Sequence, residues 1–135
     1  MQAELILKFN FEASHSLSGY EAPHPHLWGL EVILSGEPVD GKIVDIVKAR
    51  EKIEEIIEPL KFKYLNDLSY LDPPAQRAPT CETLSYFFLN KIRPWVEKSL
   101  KNENPTVGLV SVGIAIRNMD GEEMGFVRLK HGIIP

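Results

Sequence analysis

Residues 5–15 read LILKFNFEASH, and residues 24–34 read HPHLWGLEVIL. Apolar and polar residues alternate along both stretches, and a period of two is typical of a strand with one buried face. The apolar face of the first stretch holds Leu5, Leu7, Phe9, Phe11 and Ala13. That of the second holds Trp28, Leu30, Val32 and Leu34. A loop containing Gly19 and Pro23 joins them, so the two stretches predict a β-hairpin.

Helical spacing replaces this alternation in the middle of the chain. Apolar residues recur every three or four positions over 44–60, and Pro59 marks the expected end of that helix. A second helix is expected to begin after Thr80, its N-cap, and to kink or fray at Pro94. Its predicted buried stripe is Leu84, Phe87, Phe88, Ile92, Trp95 and Val96.

Alternation returns over 107–118 and 124–130, and Asp120-Gly121 between them is a signal for a two-residue hairpin turn. The element order is therefore ββααββ. It predicts an α+β fold in which two helices cover one face of a four-stranded antiparallel sheet. We expect a single domain over residues 1–135. The uncovered face and the sheet edges predict self-association.

Composition excludes several classes of protein. The chain has 135 residues with a formal net charge of −4, and its 15 Lys and Arg are scattered, which argues against a duplex-binding protein. Cys81 is the only cysteine, so neither an internal disulfide framework nor a cysteine-based zinc knuckle is possible. No apolar run has membrane-spanning length, and no signal region opens the sequence. We expect a soluble, cytoplasmic protein that binds neither nucleic acid nor membranes.

Three of the four histidines lie in the first predicted hairpin. His15 is in phase with the apolar face of the first strand, and His24 and His26 are in phase with that of the second. Three imidazoles converging on a buried face are costly unless their lone pairs are bound. A tetrahedral Zn²⁺ with three histidine ligands meets this need and keeps one position open, which is the catalytic arrangement. The alternative is that these histidines bind nothing. His131 is expected to be a surface residue.

Several motifs resemble the 6-pyruvoyltetrahydropterin synthase family, which includes the 6-carboxytetrahydropterin synthases. The resemblance covers about residues 5–127. It includes the F-x-A-x-H of Phe11 to His15, the paired histidines His24 and His26, and four further matches: Gly41 to Asp45, Leu65-Asn66, Pro79-Thr80 and Glu82-Thr83. It implies the tunnelling fold, an oligomeric barrel taken here as a hexamer, and sites at subunit boundaries. It also implies that His15, His24 and His26 bind zinc, and that the substrate is pterin-like.

Three departures from the family pattern indicate a remodelled site. No cysteine precedes His24, and Lys61-Phe62 aligns with the family's Asp-His proton relay. Arg117, or Asn118 if the register slips, aligns with the glutamate that anchors the pterin, and an arginine side chain only donates hydrogen bonds.

Four residues are candidates for catalysis or substrate binding. Glu21 resembles the glutamate of a variant branch that replaces the cysteine and removes the side chain of dihydroneopterin triphosphate. We take Glu21 as the candidate general base, and a solvated loop carboxylate is the alternative. Thr80, Glu82 and Arg117 are candidate substrate contacts, although Glu82 also fits helix-end electrostatics. Asp45 and Asn66 are interpreted as capping and turn residues, and Cys81 as a packing residue.

Three functions follow from these interpretations. The first is a zinc-dependent lyase that acts on the side chain of a dihydroneopterin triphosphate-like substrate. The second is a catalytically inactive zinc-binding homologue that binds a small ligand. The third is a structural oligomer without metal.

Overall fold

A computed structural model describes residues 1–17, 21–71 and 78–130. Its main elements are strands β1 (Ala3–His15) and β2 (His24–Gly36), helices α1 (Ile46–Ile57) and α2 (Cys81–Trp95), and strands β3 (Gly108–Arg117) and β4 (Glu123–Lys130). The strands form one antiparallel sheet in the order β1-β2-β3-β4, so β1 and β4 are its edges. The predicted ββααββ order and sheet are confirmed. The interpretation of His131 falls outside the described residues.

The side chain just before each helix fixes where that helix begins, because it accepts hydrogen bonds from backbone N–H groups two or three residues later. Asp45 caps α1 by accepting hydrogen bonds from the backbone N–H groups of Val47 and Lys48, at 3.0 and 3.2 Å. Thr80 caps α2 in the same way through the N–H of Thr83, at 3.2 Å. Helix α1 is shorter than the predicted 44–60, because it ends at Ile57 and continues as a 3₁₀ turn over Glu58–Leu60.

Helix α2 does not end at Pro94. The helix passes through Pro94 to Trp95, and a π-helical segment, Val96–Leu100, follows. Proline has no N–H to donate, and its ring crowds the carbonyl of the residue four positions earlier in a helix.

The β3–β4 connection is one residue longer than the predicted two-residue turn. Asn118 N–H donates to the Glu122 carbonyl at 2.8 Å, which leaves a three-residue loop at 119–121. Gly121 has a φ of 93°, a left-handed conformation that glycine adopts without strain. The shift in β3–β4 register after Ile116 accompanies this extra residue.

The core lies between the sheet and the helices. Odd-numbered residues of β1 from Leu7 to His15 are buried and the even-numbered ones are more exposed, as the alternation predicts. Trp28, Leu34, Ile53, Phe88 and Ile92 are among the fully buried side chains on this side. No helix in the described part of the chain is long and apolar enough to cross a bilayer. The fold thus places the loop end of the β1–β2 hairpin, with its histidines, beside the start of α2.

Candidate metal centre

The three histidines of the first hairpin form one compact cluster. His15 is paired with His24 across the β1–β2 ladder, and His26 follows two residues later on the same face. Their ring centroids lie 4.6 to 4.9 Å apart with interplanar angles of 76° to 87°. One ligand nitrogen from each ring lies within 4.8 Å of the other two. The three rings therefore form a candidate ligand set for one metal ion.

Each imidazole directs its Nδ1 to an oxygen of a different part of the chain. Nδ1 of His15 lies 2.8 Å from the Pro79 carbonyl oxygen, and Nδ1 of His26 lies 3.0 Å from that of Arg117. Nδ1 of His24 lies 3.0 Å from Oε1 of Glu21. Each Nδ1 also has a backbone carbonyl within hydrogen-bond distance, which for His24 is that of Ala22 at 3.3 Å. Because a carbonyl oxygen only accepts, these bonds fit the tautomer with Nδ1–H as donor and the lone pair on Nε2 in all three rings. A histidine that binds a metal through one nitrogen characteristically donates from the other, so this donor set fits a metal ion.

Burial favours the neutral, ligand form of two of the rings. Desolvation lowers the pKa of His15, the hydrogen bond to Pro79 opposes this, and the neighbouring His24 and His26 lower the pKa further. Desolvation also lowers the pKa of His26, against the effect of its hydrogen bond to Arg117. Neutral imidazoles are the form that coordinates metals.

Trp28 forms the apolar wall of the cluster. Its ring is fully buried and lies 5.1 Å from that of His15 and 5.8 Å from that of His26, edge-on to both. Its indole Nε1–H donates to the Ala13 carbonyl at 3.1 Å, so the ring is fixed against β1. The apolar wall keeps water from that side of the histidines and limits how far their rings can turn.

A polar clamp fixes the backbone immediately after His15. The Asn66 amide accepts from the N–H of Ser16 and donates to its carbonyl, both at 2.9 Å, and the Tyr64 hydroxyl donates to the Ser16 Oγ at 3.1 Å. Residues 62–64 also run along the outer edge of β1, where Phe62 N–H donates to the Glu12 carbonyl at 2.7 Å. Asn66 was interpreted from the sequence as a turn residue. It lies in the 3₁₀ turn Leu65–Asp67, and its side chain also bonds Ser16 at the end of β1, 50 residues away.

Thr80 and Glu82 lie at the start of α2, next to the carbonyl that holds His15. The Thr80 hydroxyl caps the helix, and Thr83 Oγ1 donates to the Ala78 carbonyl at 2.8 Å, which orders the turn containing Pro79. Glu82 is exposed and, with Thr80, Thr83 and Tyr86, borders a cavity of about 710 Å³. Neither Thr80 nor Glu82 has a side-chain hydrogen bond to the three imidazoles within the described residues.

The side chain of Arg117 lies on the face of the sheet opposite the imidazoles. Its guanidinium donates to Asn10 Oδ1 at 3.0 Å and contacts Glu123 Oε1 at 3.4 Å. It lies flat over Gly29, where an added Cβ would approach Nη1 to 2.5 Å. Only the backbone carbonyl of Arg117 reaches the cluster. Within one chain, the guanidinium and the three histidines therefore do not share a cavity.

Lys61 and Phe62, at the positions of the family's relay pair, also lie outside the cluster. The Lys61 ammonium pairs with Glu54 and Glu58 of the first helical region, at 3.4 and 3.2 Å. The ring of Phe62 is exposed, and its φ of 61° is unusual for a bulky residue. Two neighbouring backbone hydrogen bonds to β1 hold this conformation.

Cys81 is buried at the first turn of α2. Desolvation, together with the nearby Glu82 carboxylate, raises its pKa to about 11, against the lowering expected at a helix N-terminus. The thiol therefore stays protonated near neutral pH, which agrees with its interpretation as a packing residue.

Comparisons with protein families and with solved structures identify relatives of this chain. The family model described as 6-pyruvoyl tetrahydropterin synthase matches residues 4–115, most of the chain. The chain belongs to this family. Among 6-pyruvoyl tetrahydropterin synthases of known structure, that of Caenorhabditis elegans aligns with a TM-score of 0.68 and 18% identity, over 98% of this chain and 97% of its own. The Plasmodium vivax enzyme aligns with a TM-score of 0.64 and 14% identity, over 96% and 99%.

One curated relative is named for a specific reaction of a pterin compound. The dihydroneopterin monophosphate aldolase of Pyrococcus furiosus is 26% identical over 95 residues, which are 69% of this chain and 77% of that protein. This 6-pyruvoyl tetrahydropterin synthase family member thus has the tunnelling fold and is related to enzymes that process pterins.

Proposed function

We propose that this chain is a zinc-dependent lyase that cleaves the side chain of a dihydroneopterin phosphate. The observation that carries the proposal is the convergence of three imidazoles whose Nδ1 atoms are all held by oxygens. His15, His24 and His26 would hold the ion through Nε2. The bound ion would keep one coordination position open for the substrate and would polarise neighbouring oxygens of the substrate's side chain.

Glu21 is the proposed general base. Its carboxylate lies beside His24, and its side chain is 38% exposed, so a substrate bound at the cluster can reach it. A carboxylate at this place can take the proton of a side-chain hydroxyl, whose oxygen then forms a C=O bond while the neighbouring carbon–carbon bond breaks. The electron pair of that bond would stay on the carbon attached to the pterin ring, which then takes up a proton. Two solved variants of the Plasmodium vivax enzyme replace a glutamate described as a catalytic residue, which supports a carboxylate in this role.

The name of the Pyrococcus relative favours carbon–carbon cleavage and adds the monophosphate to the triphosphate as a candidate substrate. Thr80 and Glu82 are proposed substrate contacts because they border the cavity at the start of α2. For Arg117, contact with a substrate at the histidines would require a second subunit, since its guanidinium is on the other face. We keep the homo-oligomer, taken as a hexamer, as part of the proposal.

The test is turnover of dihydroneopterin monophosphate and triphosphate by zinc-loaded protein, with products identified by mass spectrometry. We expect release of the side chain as a separate product, and loss of this activity in Glu21→Ala. Glu51→Ala, which removes an exposed carboxylate of α1, is the matched control and should retain activity. A fully zinc-loaded protein that converts neither compound overturns the lyase.

The second candidate is a zinc-binding homologue without turnover. The pairing of Lys61 with Glu54 and Glu58 favours it, because no proton relay forms at that position. Tight zinc binding and stabilisation by a pterin, with no product, would establish this function in place of the first.

A further inference from the structure

We propose that Glu21 is a positioning residue for His24, in addition to its proposed role as a base. The Nδ1 of His24 bonds the Ala22 carbonyl at 3.3 Å, and Oε1 of Glu21 lies beside the same nitrogen at 3.0 Å, where it can share the Nδ1 proton. A proton on Nδ1 leaves the Nε2 lone pair directed away from Glu21, as the metal centre requires. This inference rests on the proposed metal centre and deepens it.

His24 needs such a partner more than the other two ligands do. His15 and His26 are buried, and their Nδ1 atoms are held by carbonyls next to α2 and at the end of β3. His24 is the first residue of β2, and its side chain is 37% exposed. The hydrogen bond of its Nδ1 to the Ala22 carbonyl is exposed and long, at 3.3 Å. The carboxylate is therefore the shorter contact on the ring that the fold restrains least.

Glu21 also ties the two ends of the β1–β2 connection together. The N–H of Leu17, two residues after His15, donates to the same Oε1 at 3.4 Å. One carboxylate oxygen thus contacts the chain leaving β1 and the imidazole that opens β2.

Glutamine and alanine at position 21 separate positioning from base catalysis. A glutamine side chain has an amide oxygen that can accept from Nδ1–H of His24, but it cannot take a proton near neutral pH. Alanine removes both abilities. The positioning role therefore predicts that Glu21→Gln keeps most of the zinc affinity while losing activity, and that Glu21→Ala loses both.

The experiment measures Zn²⁺ affinity by competition with a chromophoric chelator, and ligand geometry from the visible absorption of the Co²⁺ form. We expect Glu21→Ala to bind zinc about 10- to 100-fold more weakly than the wild type, with an altered Co²⁺ spectrum. We expect Glu21→Gln to stay within about 3-fold of the wild type, below the range typical for loss of such a partner. Glu51→Ala is the carboxylate control and His15→Ala is the reference for loss of a ligand.

Each outcome decides between the two proposals. Unchanged zinc affinity in Glu21→Ala overturns the positioning role and leaves the metal centre intact. Loss of affinity in Glu21→Gln as large as in Glu21→Ala also overturns the hydrogen-bonding role. A wild-type protein that binds neither Zn²⁺ nor Co²⁺ overturns the proposed function itself, and this inference with it. Far-UV circular dichroism of each variant shows that the comparison is made on folded protein.

Discussion

Nδ1 of His26 lies 3.0 Å from the backbone oxygen of Arg117, while the guanidinium of Arg117 lies on the opposite face of the sheet. Arg117 thus makes contacts on both faces of the sheet, with its backbone carbonyl on one face and its side chain on the other. Its carbonyl orients a candidate metal ligand, and its side chain links Asn10 of β1 to Glu123 of β4. This separation allows the backbone and side-chain contributions to be tested independently.

Replacing Arg117 by alanine should leave the zinc affinity unchanged, because the carbonyl that holds His26 remains. The lost contacts with Asn10 and Glu123 are partly exposed, so we expect the free energy of unfolding to fall by about 1 kcal/mol or less. Chelator competition and urea denaturation measure the two quantities. A marked loss of zinc affinity would show that the side chain, rather than the carbonyl, supports the cluster.

Replacing Asn66 by alanine should weaken both folding and metal binding. It leaves the buried backbone groups of Ser16 without the amide that pairs with them, which costs about 1–3 kcal/mol. Because Ser16 directly follows His15, we also expect a zinc affinity lower by about 10-fold. Asn102→Ala is the control, since the Asn102 amide makes an exposed bond to the Lys98 carbonyl. Equal zinc affinities in the two variants would contradict the role of the clamp.

Trp28 should report metal binding by fluorescence. The chain has two tryptophans, so Trp95→Phe leaves Trp28 as the only one. Its ring lies 5.1 Å from that of His15, close enough for bound Co²⁺ to quench its emission. We expect saturable quenching in Trp95→Phe and none when His15→Ala is added. Quenching that persists without His15 would place the ion elsewhere.

Metal removal should destabilise the protein by an amount set by affinity and concentration. An ion that binds only the folded state, present at 100 times its Kd, contributes about 2.7 kcal/mol. We therefore expect zinc to raise the melting temperature of the wild type and to leave that of His15→Ala unchanged. Thermal scans with and without a chelator measure the difference. A wild-type melting temperature that does not respond to zinc would argue against the centre.

Cys81 should react slowly with thiol reagents at neutral pH. With a pKa of about 11, only about one thiol in a thousand is ionised at pH 8, and burial limits access further. Alkylation should accelerate as pH rises toward 11, and in urea at pH 8. Rapid stoichiometric labelling of the folded protein at pH 8 would contradict this environment for the thiol.

The fold and the clustering of the three histidines were predictable because they depend on local periodicity. Alternation places His15 in phase with Phe11, and His24 and His26 in phase with Trp28, on the face that the structure buries. Thr80 and Asp45 were recognisable as caps because their bonds span two or three residues. A signal that is complete within a few residues can be interpreted without knowing the tertiary structure.

The anchors of the imidazoles were not predictable, because they are long-range contacts and several use only backbone atoms. The Pro79 carbonyl is 64 residues from His15, and the Arg117 carbonyl is 91 residues from His26. Any residue type offers a carbonyl, so no pattern indicates which one will be used. The pairing of Asn66 with Ser16 likewise depends on where the chain returns to β1. The third residue of the 119–121 loop was not predicted, because Asp-Gly is also typical of two-residue turns.

The three Nδ1 anchors belong to the loop before β2, the turn before α2 and the end of β3, so the centre is complete only when these distant segments have assembled. Half of the chain in isolation would supply the histidines but not the Pro79 and Arg117 carbonyls that aim two of them. Tight zinc binding would therefore indicate that the tertiary structure is complete. A nascent or truncated chain would not sequester the ion with full strength until its final strands were in place.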